Sequence, residues 1–306
     1  MNEAPGFFDS SSYPNLLISS HTFLRAVNII QVSDRCGQCA GKSAVLSAAK
    51  CGFKSVQLRF CERHIHKLRE MNLGELVEAL DLQEKQSEYM TLTFDERMNL
   101  AVDYTYSAKY NAKVHRLIKA AKFRIADAAL VNVYYEKRGL DRDLILTLGN
   151  CGFIEKNQPV VFNGFTDSGK SYLACAIGRQ ACMQGFRTRY IRVPDLMQPL
   201  SEASLDVRGR TKLLKKFSGY RLLILDEWLL NDMTENEQHF FFELIERRYD
   251  CTSTIFCTQY KREDWHSRLG GGIHADAIMD RIVHTAAWVY SGDINMRELQ
   301  AKEAKL

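Results

Sequence analysis

A phosphate-binding loop constrains the fold of this chain more than any other feature, because it works only between a strand and a helix. Residues 164–171 read GFTDSGKS, a complete G-x-x-x-x-G-K-[ST] pattern. Residues 159–163 before it are short, apolar and β-prone, and residues 172–183 after it have the apolar periodicity of a helix. The sequence therefore predicts a strand, a glycine loop and a helix that bind the phosphates of a nucleotide.

Each residue type in the loop has a physical role. Gly164 and Gly169 let the backbone turn its N–H groups toward a phosphate chain, and the positive end of the helix adds to this attraction. Lys170 is predicted to reach the β- and γ-phosphates, and the Ser171 hydroxyl to ligate Mg²⁺. The predicted nucleotide contacts are Gly164, Phe165, Thr166, Asp167, Ser168, Gly169, Lys170, Ser171 and Tyr172.

A partner motif for the loop follows at residues 221–227, which read RLLILDE. Consecutive aliphatic residues predict a strand buried on both faces, and open α/β sheets bind ligands at the carboxyl ends of such strands. We expect Asp226 to hold the Mg²⁺ shell and Glu227 to orient and polarise the attacking water. An ordinary polar strand end is the alternative. The chain lacks an N-K-x-D guanine motif, which favours ATP over GTP.

The composition is that of an ordinary globular protein, since 46% of its 306 residues are hydrophobic and 25% are charged. The net charge of +4 is mild, so any nucleic-acid surface must be local. No apolar run of about 18 residues suggests a membrane helix, and no signal peptide is recognisable. We expect Cys151, Cys175, Cys182 and Cys257, which lie in apolar segments, to be reduced and buried, as in a cytoplasmic protein.

Residues 1–60 have the least interpretable pattern. Cys36 and Cys39 have the spacing of half a zinc site, but no second pair follows. We interpret the segment as a disordered or spurious extension, such as an upstream start codon would produce. The alternative is a zinc site built from Cys36, Cys39, Cys51, Cys61, His64 and His66.

Residues 61–150 are predicted to form a helical region that binds DNA or a partner. Residues 62–86 have helical apolar spacing, and Thr93 with Glu96 resembles a capping box that begins another helix. From residue 107 to 124 this helix has no acidic residue, whereas solvated faces usually mix charges of both signs. We predict that a stripe of basic residues on this helix contacts the backbone of duplex DNA. The alternative is that the stripe is an ordinary solvated face. The predicted contacts are Lys109, Lys113, Arg116, Lys119 and Lys122.

Residues 151–306 alternate predicted strands and helices and are expected to form the ATP-binding domain. Beyond the strand before the loop, strands are predicted at residues 187–192, 222–225, 252–258 and 287–290. Such alternation is typical of a mostly parallel sheet with helices on both faces. The expected fold class is therefore α/β, a P-loop NTPase preceded by a helical region.

Residues 62–306 resemble the IstB family of AAA+ ATPases, which are encoded beside insertion-sequence transposases and are related to DnaC-like helicase loaders. The motifs that carry this resemblance are SGKSYLACAIGRQAC, LLILDEW, IERRYDCTSTIFCTQ, DWH and DAIMDRIVH, with LIKAAKFRIADAAL and RGLDRDLILTLGNCGFI before them. The resemblance implies the AAA+ form of the P-loop fold. The short segment after residue 290 implies that no C-terminal helical lid follows.

The resemblance also implies roles for further residues. Thr258 or Gln259 matches the sensor position that contacts the γ-phosphate or water. Arg281 matches the arginine that a neighbouring subunit inserts toward the γ-phosphate, with a surface pairing to Asp280 as the alternative. The chain departs from the family pattern at Asp167, in the segment that ends at Arg297, and at residues 228–231, which read WLLN. Asp167 replaces a glycine and is expected to repel phosphates, and the segment ending at Arg297 lacks the family's serine, which leaves a second-sensor role open.

These features favour an ATPase that assembles with ATP as a ring or filament on duplex DNA and stimulates or targets a transposase. A DnaC-like loader of a replicative helicase is the alternative, and the position of the basic helix and the DAIMDRIVH segment argue against it. A non-catalytic remnant is a third hypothesis. Retention of Lys170, Ser171, Asp226, Glu227 and Arg281 argues against that third reading. No membrane association is expected.

Overall fold

The computed structural model describes residues 62–303 except Leu205 and Asp293. The predicted N-terminal extension, with Cys36 and Cys39, lies outside the described residues. Within the described part, no group of three or more His, Cys, Asp or Glu side chains is arranged to hold a metal. None of the helices in that part has the length and hydropathy of a membrane-spanning segment.

Three helices open the described chain: α1 (Glu62–Glu70), α2 (Gly74–Lys85) and α3 (Phe94–Ala121). The prediction of one continuous helix over residues 62–86 is wrong, because Asn72 adopts a left-handed conformation (φ +57°) that ends the first helix. The predicted capping box is confirmed. The backbone N–H of Glu96 donates to Thr93 Oγ1 (3.4 Å), and the backbone N–H of Thr93 donates to Glu96 Oε2 (2.8 Å).

The rest of the described chain is a regular series of strands and helices. Two short helices on either side of Cys151, α4 (Arg142–Gly149) and α5 (Gly152–Glu155), precede β1. The series then runs β1 (Val160–Asn163), α6 (Lys170–Met183), β2 (Thr188–Arg192), α7 (Val193–Ser204), α8 (Val207–Ser218), β3 (Leu222–Asp226), α9 (Glu235–Arg248), β4 (Ser253–Thr258), α10 (Trp265–Arg268), α11 (Gly272–Val283), β5 (Ala287–Tyr290) and α12 (Met296–Glu303).

The strands form one parallel sheet in the order β2-β3-β4-β1-β5. All the predicted strands are present, and the expected α/β fold, with the phosphate-binding loop between β1 and α6, is confirmed. The strand order places the phosphate-binding loop after β1, next to β4, with β3 beyond it. Strand β4 therefore lies between β3 and β1, although it follows both of them in the sequence. In open sheets of this kind, ligands bind at the carboxyl ends of the strands.

Helices cover both faces of the sheet, so alternate residues of each strand enter two separate cores. Val160 and Phe162 of β1 pack into one core with the buried residues of α6, whereas Val161 packs into the other core with α7, α9 and α11. The expectation of buried thiols is confirmed for Cys151, Cys175, Cys182 and Cys257, which are free and buried. Only α12 follows β5 in the described chain, and the absence of a helical lid stays a prediction.

The long helix α3 connects the helical region to the sheet. Its first half packs on α2 through the buried residues Ala101 and Thr105. Its second half packs against β2 and α6 and ends at Ala121, because Lys122 is left-handed (φ +55°). The basic helix is thus three residues shorter than the predicted end at residue 124, and its C-terminal end lies beside the edge strand of the sheet.

Candidate nucleotide-binding site

The phosphate-binding loop has the backbone that its sequence predicts. Gly169 is left-handed (φ +87°) and precedes α6, whose N-terminus carries no side-chain cap. A Cβ atom added at Gly164 would lie 2.0 Å from Ser291 Oγ, so only glycine fits there. Since the first N–H groups of a helix have no partner within it, the start of α6 is suited to bind an anion.

Lys170 lies across the loop that precedes it. Its ammonium group donates to the carbonyl oxygens of Gly164 (2.7 Å) and Phe165 (2.6 Å). Burial lowers the pKa of Lys170, while the carboxylates of Asp226 and Asp167 oppose this shift. Lys170 held this way places a positive charge beside the position that the loop offers to phosphates.

A cavity of about 650 Å³ lies in front of the loop, at the carboxyl end of the sheet. It brings together most of the predicted nucleotide contacts with both carboxylates of the second motif. Its wall includes Thr166, Asp167, Gly169, Lys170, Ser171, Tyr172, Asp226 and Glu227. The other predicted contacts, Gly164, Phe165 and Ser168, do not line this cavity. The Gly164 and Phe165 carbonyls hold Lys170, and Ser168 is fully buried.

Asp226 is the more buried of the two carboxylates and is held by two donors. The hydroxyl of Tyr190 donates to Oδ2 at 2.5 Å, and the backbone N–H of Glu227 donates to Oδ1 at 2.9 Å. Burial and the neighbouring carboxylate raise the pKa of Tyr190 well above its usual range, so its hydroxyl remains a donor. Asp226 and Ser171 line the same cavity with a carboxylate and a hydroxyl group. These oxygens suit Mg²⁺, which is usually bound by one or two protein oxygens together with the phosphates of a nucleotide.

Glu227 is held by an arginine that the sequence did not single out. Arg192 donates from Nε to Glu227 Oε1 (2.9 Å) and from Nη2 to Oε2 (2.8 Å), a bidentate contact. Arg124 lies 3.5 Å from the same carboxylate. Hydrogen bonding to Glu227 raises the pKa of Arg192. In this conformation, both oxygens of the carboxylate are engaged by cations rather than free to polarise a water.

The two candidate sensor residues take different positions. Thr258 is buried, and its Oγ1 accepts a hydrogen bond from the backbone N–H of Tyr260 (3.1 Å). Gln259 lines the cavity, and its Oε1 accepts a hydrogen bond from Thr166 of the loop (3.0 Å). Of the two residues, the geometry favours Gln259 for a contact with the γ-phosphate or water.

Arg281 lies far from the loop of its own chain. It sits on α11, in a second cavity of about 440 Å³ lined by residues that precede β1, β4 and β5, at the amino ends of the strands. Its guanidinium pairs with Glu246 Oε2 (2.5 Å) and donates to the carbonyl of Ala277 (2.9 Å). The alternative pairing with Asp280 does not occur among the described ion pairs.

A buried arginine forms a hydrogen bond to the backbone of the phosphate-binding loop. Arg138 donates to the carbonyl oxygens of Ser168 and Ser291, the latter at 3.0 Å, and burial lowers its pKa to about 10. The hydroxyls of Ser168 and Ser291 lie 2.6 Å apart. Arg138 lies in the RGLDRDL segment. No sequence pattern predicted its contact with the loop, because the two are far apart in the sequence.

The departures at Asp167 and Arg297 turn out to be neighbours. Asp167 is left-handed (φ +64°), and its carboxylate lies 3.0 Å from Arg297 Nε. The backbone N–H of Met296 donates to the Asp167 carbonyl at 2.9 Å. The start of α12 therefore rests on the loop, and Arg297 reaches the cavity wall.

The predicted DNA stripe lies on the outer side of the second half of α3. Lys113, Arg116, Lys119 and Lys122 are exposed, and Lys109 is half-buried with its ammonium donating to the carbonyl of Asn72. Within the described part of the chain, none of these five side chains forms an ion pair. The stripe therefore presents positive charge that no carboxylate of that part neutralises.

Comparison with known proteins gives consistent results. A family model described as "IstB-like ATP binding protein" matches residues 66–304. A relative from Sinorhizobium fredii (strain NBRC 101917 / NGR234), y4pL, is named as an insertion sequence ATP-binding protein. It is 32% identical over 241 residues, which cover 78% of this chain and 98% of the relative. A Pseudomonas fluorescens relative, named as an ATP-binding protein of IS1162, is 35% identical over 64% of this chain and 84% of its own length.

Solved structures with a similar fold include two replication proteins. The DnaC helicase loader is 22% identical, has a TM-score of 0.45, and is matched over 54% of this chain and 96% of its own. The replication initiator DnaA bound to AMPPCP and single-stranded DNA is 18% identical, with a TM-score of 0.48, over 60% of this chain and 57% of its own.

Proposed function

The chain belongs to the family of IstB-like ATP binding proteins, and from this premise we propose that it is an ATPase that assists DNA transposition. One observation carries the proposal: Lys170, Ser171, Asp226 and Glu227 all line one cavity in front of the phosphate-binding loop. The names of its insertion-sequence relatives support the link to transposition.

ATP and Mg²⁺ are the proposed ligands of this cavity. The loop N–H groups and Lys170 would hold the phosphates, and Ser171 and Asp226 would supply the protein oxygens of the Mg²⁺ shell. When bound, Mg²⁺ neutralises charge that develops on the phosphate oxygens. The apolar wall beside the loop, which includes Ile125, Val133 and Tyr172, would receive the rest of the nucleotide.

Hydrolysis requires a base or a water-positioning group, and Glu227 is the proposed one. Its carboxylate must first leave Arg192, because a base paired bidentately with an arginine cannot also orient a water. Gln259 is proposed to contact the γ-phosphate or the water, in preference to Thr258. The ATPase therefore has a built-in low basal rate that a conformational change relieves.

We further propose that ATP-bound subunits assemble with Arg281 of one subunit at the cavity of the next. The position of Arg281 at the amino ends of the strands supports this role, because it cannot reach the loop of its own chain. A head-to-tail contact of this kind generates a ring or a filament. The unpaired stripe on α3 is proposed to hold duplex DNA, and a transposase is the proposed protein partner.

The deciding measurement is ATP hydrolysis with and without duplex DNA. Wild type should hydrolyse ATP faster with DNA. Lys170→Ala should lose nucleotide binding, whereas Glu227→Gln should retain binding and lose hydrolysis by about 100-fold or more, the usual contribution of a general base. Lys261→Ala, an exposed lysine outside the cavity, is the control. A Glu227→Gln enzyme that turns over at the wild-type rate would show that the catalytic assignment is wrong.

A further inference from the structure

A second basic surface lies at the outer edge of the sheet, on the far side of Arg192 from the nucleotide cavity. Here a groove of about 340 Å³ lies between the edge strand β2, helices α7 and α8, and the residue that follows α3. Its lining contains four cations and one carboxylate: Lys122, Arg189, Arg192, Lys216 and Asp195. We propose that this groove binds a backbone phosphate of the DNA duplex that lies along α3. The proposal rests on the DNA-binding role proposed above.

The groove has a surplus of uncommitted positive charge. Its carboxylate is already taken, because Asp195 lies 3.3 Å from Arg192. Lys122 and Lys216 are exposed, and neither forms an ion pair in the described part of the chain. Arg189 donates from Nη1 to the carbonyl of Ala120 (3.2 Å), and its Nε is buried without an acceptor.

The groove continues the stripe on α3 rather than forming a separate patch. Lys122 is the last residue of the stripe and also lines the groove. The hydrogen bond from Arg189 to Ala120 ties the edge strand to the last turn of the same helix. A DNA strand whose phosphates follow the stripe would therefore reach the groove at Lys122.

The chemistry of the groove favours a phosphate over an acidic amphipathic peptide. Such a peptide would need an exposed apolar floor for its hydrophobic side chains. Among the apolar residues that line this groove, Pro199 is exposed, Ile191 and Leu213 are half-buried, and Leu196 and Phe217 are buried, so the apolar floor is small. The polar groups that the groove offers to a ligand are mainly lysine and arginine donors, which bind phosphates through charge-assisted hydrogen bonds.

The groove and the nucleotide cavity share one ion pair. Arg192 lines the groove, and the Glu227 carboxylate that it holds lines the cavity. A phosphate in the groove competes with Glu227 for the positive field of Arg192. DNA that occupies the groove should therefore loosen Glu227 and raise ATP turnover, and this supplies a second readout.

The test compares two lysines of α8. Lys216 lines the groove, whereas Lys212, one turn earlier on the same helix, is equally exposed and does not. Binding of a fluorescent duplex to Lys216→Glu and Lys212→Glu is measured by anisotropy over a range of KCl. Lys216→Glu should weaken binding about fivefold at ~100 mM salt and reduce the salt slope by about 0.9, the value for one lost phosphate contact. Lys212→Glu should do neither, and its basal ATP hydrolysis should be unchanged.

Several outcomes would overturn the proposal. Equal effects of the two substitutions would show that general electrostatic attraction, and not a phosphate contact in the groove, explains the loss of duplex binding. If Lys216→Glu leaves duplex binding intact but weakens binding of a labelled polyglutamate peptide, the groove takes an acidic protein segment instead. If reversal of the α3 stripe abolishes duplex binding while Lys216→Glu does not change it, the groove fails and the DNA-binding role stands. A wild type that binds no duplex at all would overturn that role itself, and the groove with it.

Discussion

The Glu227 carboxylate meets Arg192 because β2 and β3 are neighbours, with Arg192 in register with Asp226. The Arg192–Glu227 ion pair is partly exposed, so it contributes a modest free energy. A ligand that binds Arg192 can therefore displace Glu227. At the residue scale, the Arg192 ion pair therefore decides whether the proposed catalytic carboxylate is free.

Replacing Arg192 should release that carboxylate. We expect Arg192→Gln to raise basal ATP hydrolysis about two- to fivefold, since a partly exposed ion pair is worth up to about 1 kcal/mol. Stimulation by duplex DNA should shrink in the same variant. Steady-state phosphate release measures both rates, and Arg187→Gln, an exposed arginine just before β2, is the control. A fall in basal rate as large as that of Glu227→Gln would mean that Arg192 is needed for chemistry.

Asp167 is the second residue whose charge matters, because it stands in a loop that binds phosphates. Asp167→Asn should tighten ATP binding about fivefold, on the order of 1 kcal/mol of relieved repulsion. Asp167→Gly removes the charge and also suits the left-handed backbone at this position. Titration of a fluorescent ATP analogue gives both affinities. Weaker binding in both variants would instead assign Asp167 the role of anchoring Arg297 and α12.

At the scale of elements, α3 packs against two different parts of the protein, because its buried face changes along its length. The first half packs on α2, and the second half packs on the sheet and leaves the basic stripe outward. Its capping box and its lack of acidic residues after position 107 were readable from the sequence. The change of buried face was not, because it depends on what α2, α6 and β2 place around the helix.

The stripe predicts a specific loss of DNA binding. Reversal of Lys113, Arg116 and Lys119 to glutamate should weaken duplex binding strongly and flatten its salt dependence. The log–log slope should fall by about 2.7, at about 0.9 per lost phosphate contact. The matched control reverses Lys212, Lys215 and Lys261, which are exposed and lie elsewhere. Unchanged binding in the stripe variant would leave α3 with an ordinary solvated face.

At the scale of the whole molecule, the sheet separates the loop from Arg281, because they lie at opposite ends of its strands. Arg281 is held by Glu246 and by the rings of Phe242 and Tyr249, whose centroids lie 5.8 and 5.9 Å away. An arginine so placed can act on a nucleotide only if a second copy presents its cavity to that end of the sheet.

Mixing two inactive variants tests this arrangement. Arg281→Ala keeps its own cavity, and Glu227→Gln keeps its arginine. An equimolar mixture should regain hydrolysis at about a quarter of its sites, if subunits mix at random through head-to-tail contacts. A mixture of Glu227→Gln with the double variant Glu227→Gln/Arg281→Ala is the control and should stay inactive. If the first mixture is also inactive, Arg281 does not act across subunits.

The sequence by itself determined the features that depend on local spacing. The glycine loop between β1 and α6, the aliphatic run of β3 that ends at Asp226 and the capping box at Thr93 are each encoded within about ten residues, where strand, turn and helix periodicities act. The α/β fold class followed from the alternation of predicted strands and helices along the chain, whereas the AAA+ form was implied by the family resemblance.

Only the tertiary structure decided which distant side chains meet. The sheet order, which no local pattern encodes, brings Arg192 to Glu227, places Gln259 rather than Thr258 on the cavity wall and moves Arg281 to the opposite edge. The same packing brings Arg138 beneath the loop. The physical reason is that long-range contacts depend on how two cores pack on one sheet, and periodicity reports only which face of an element is apolar.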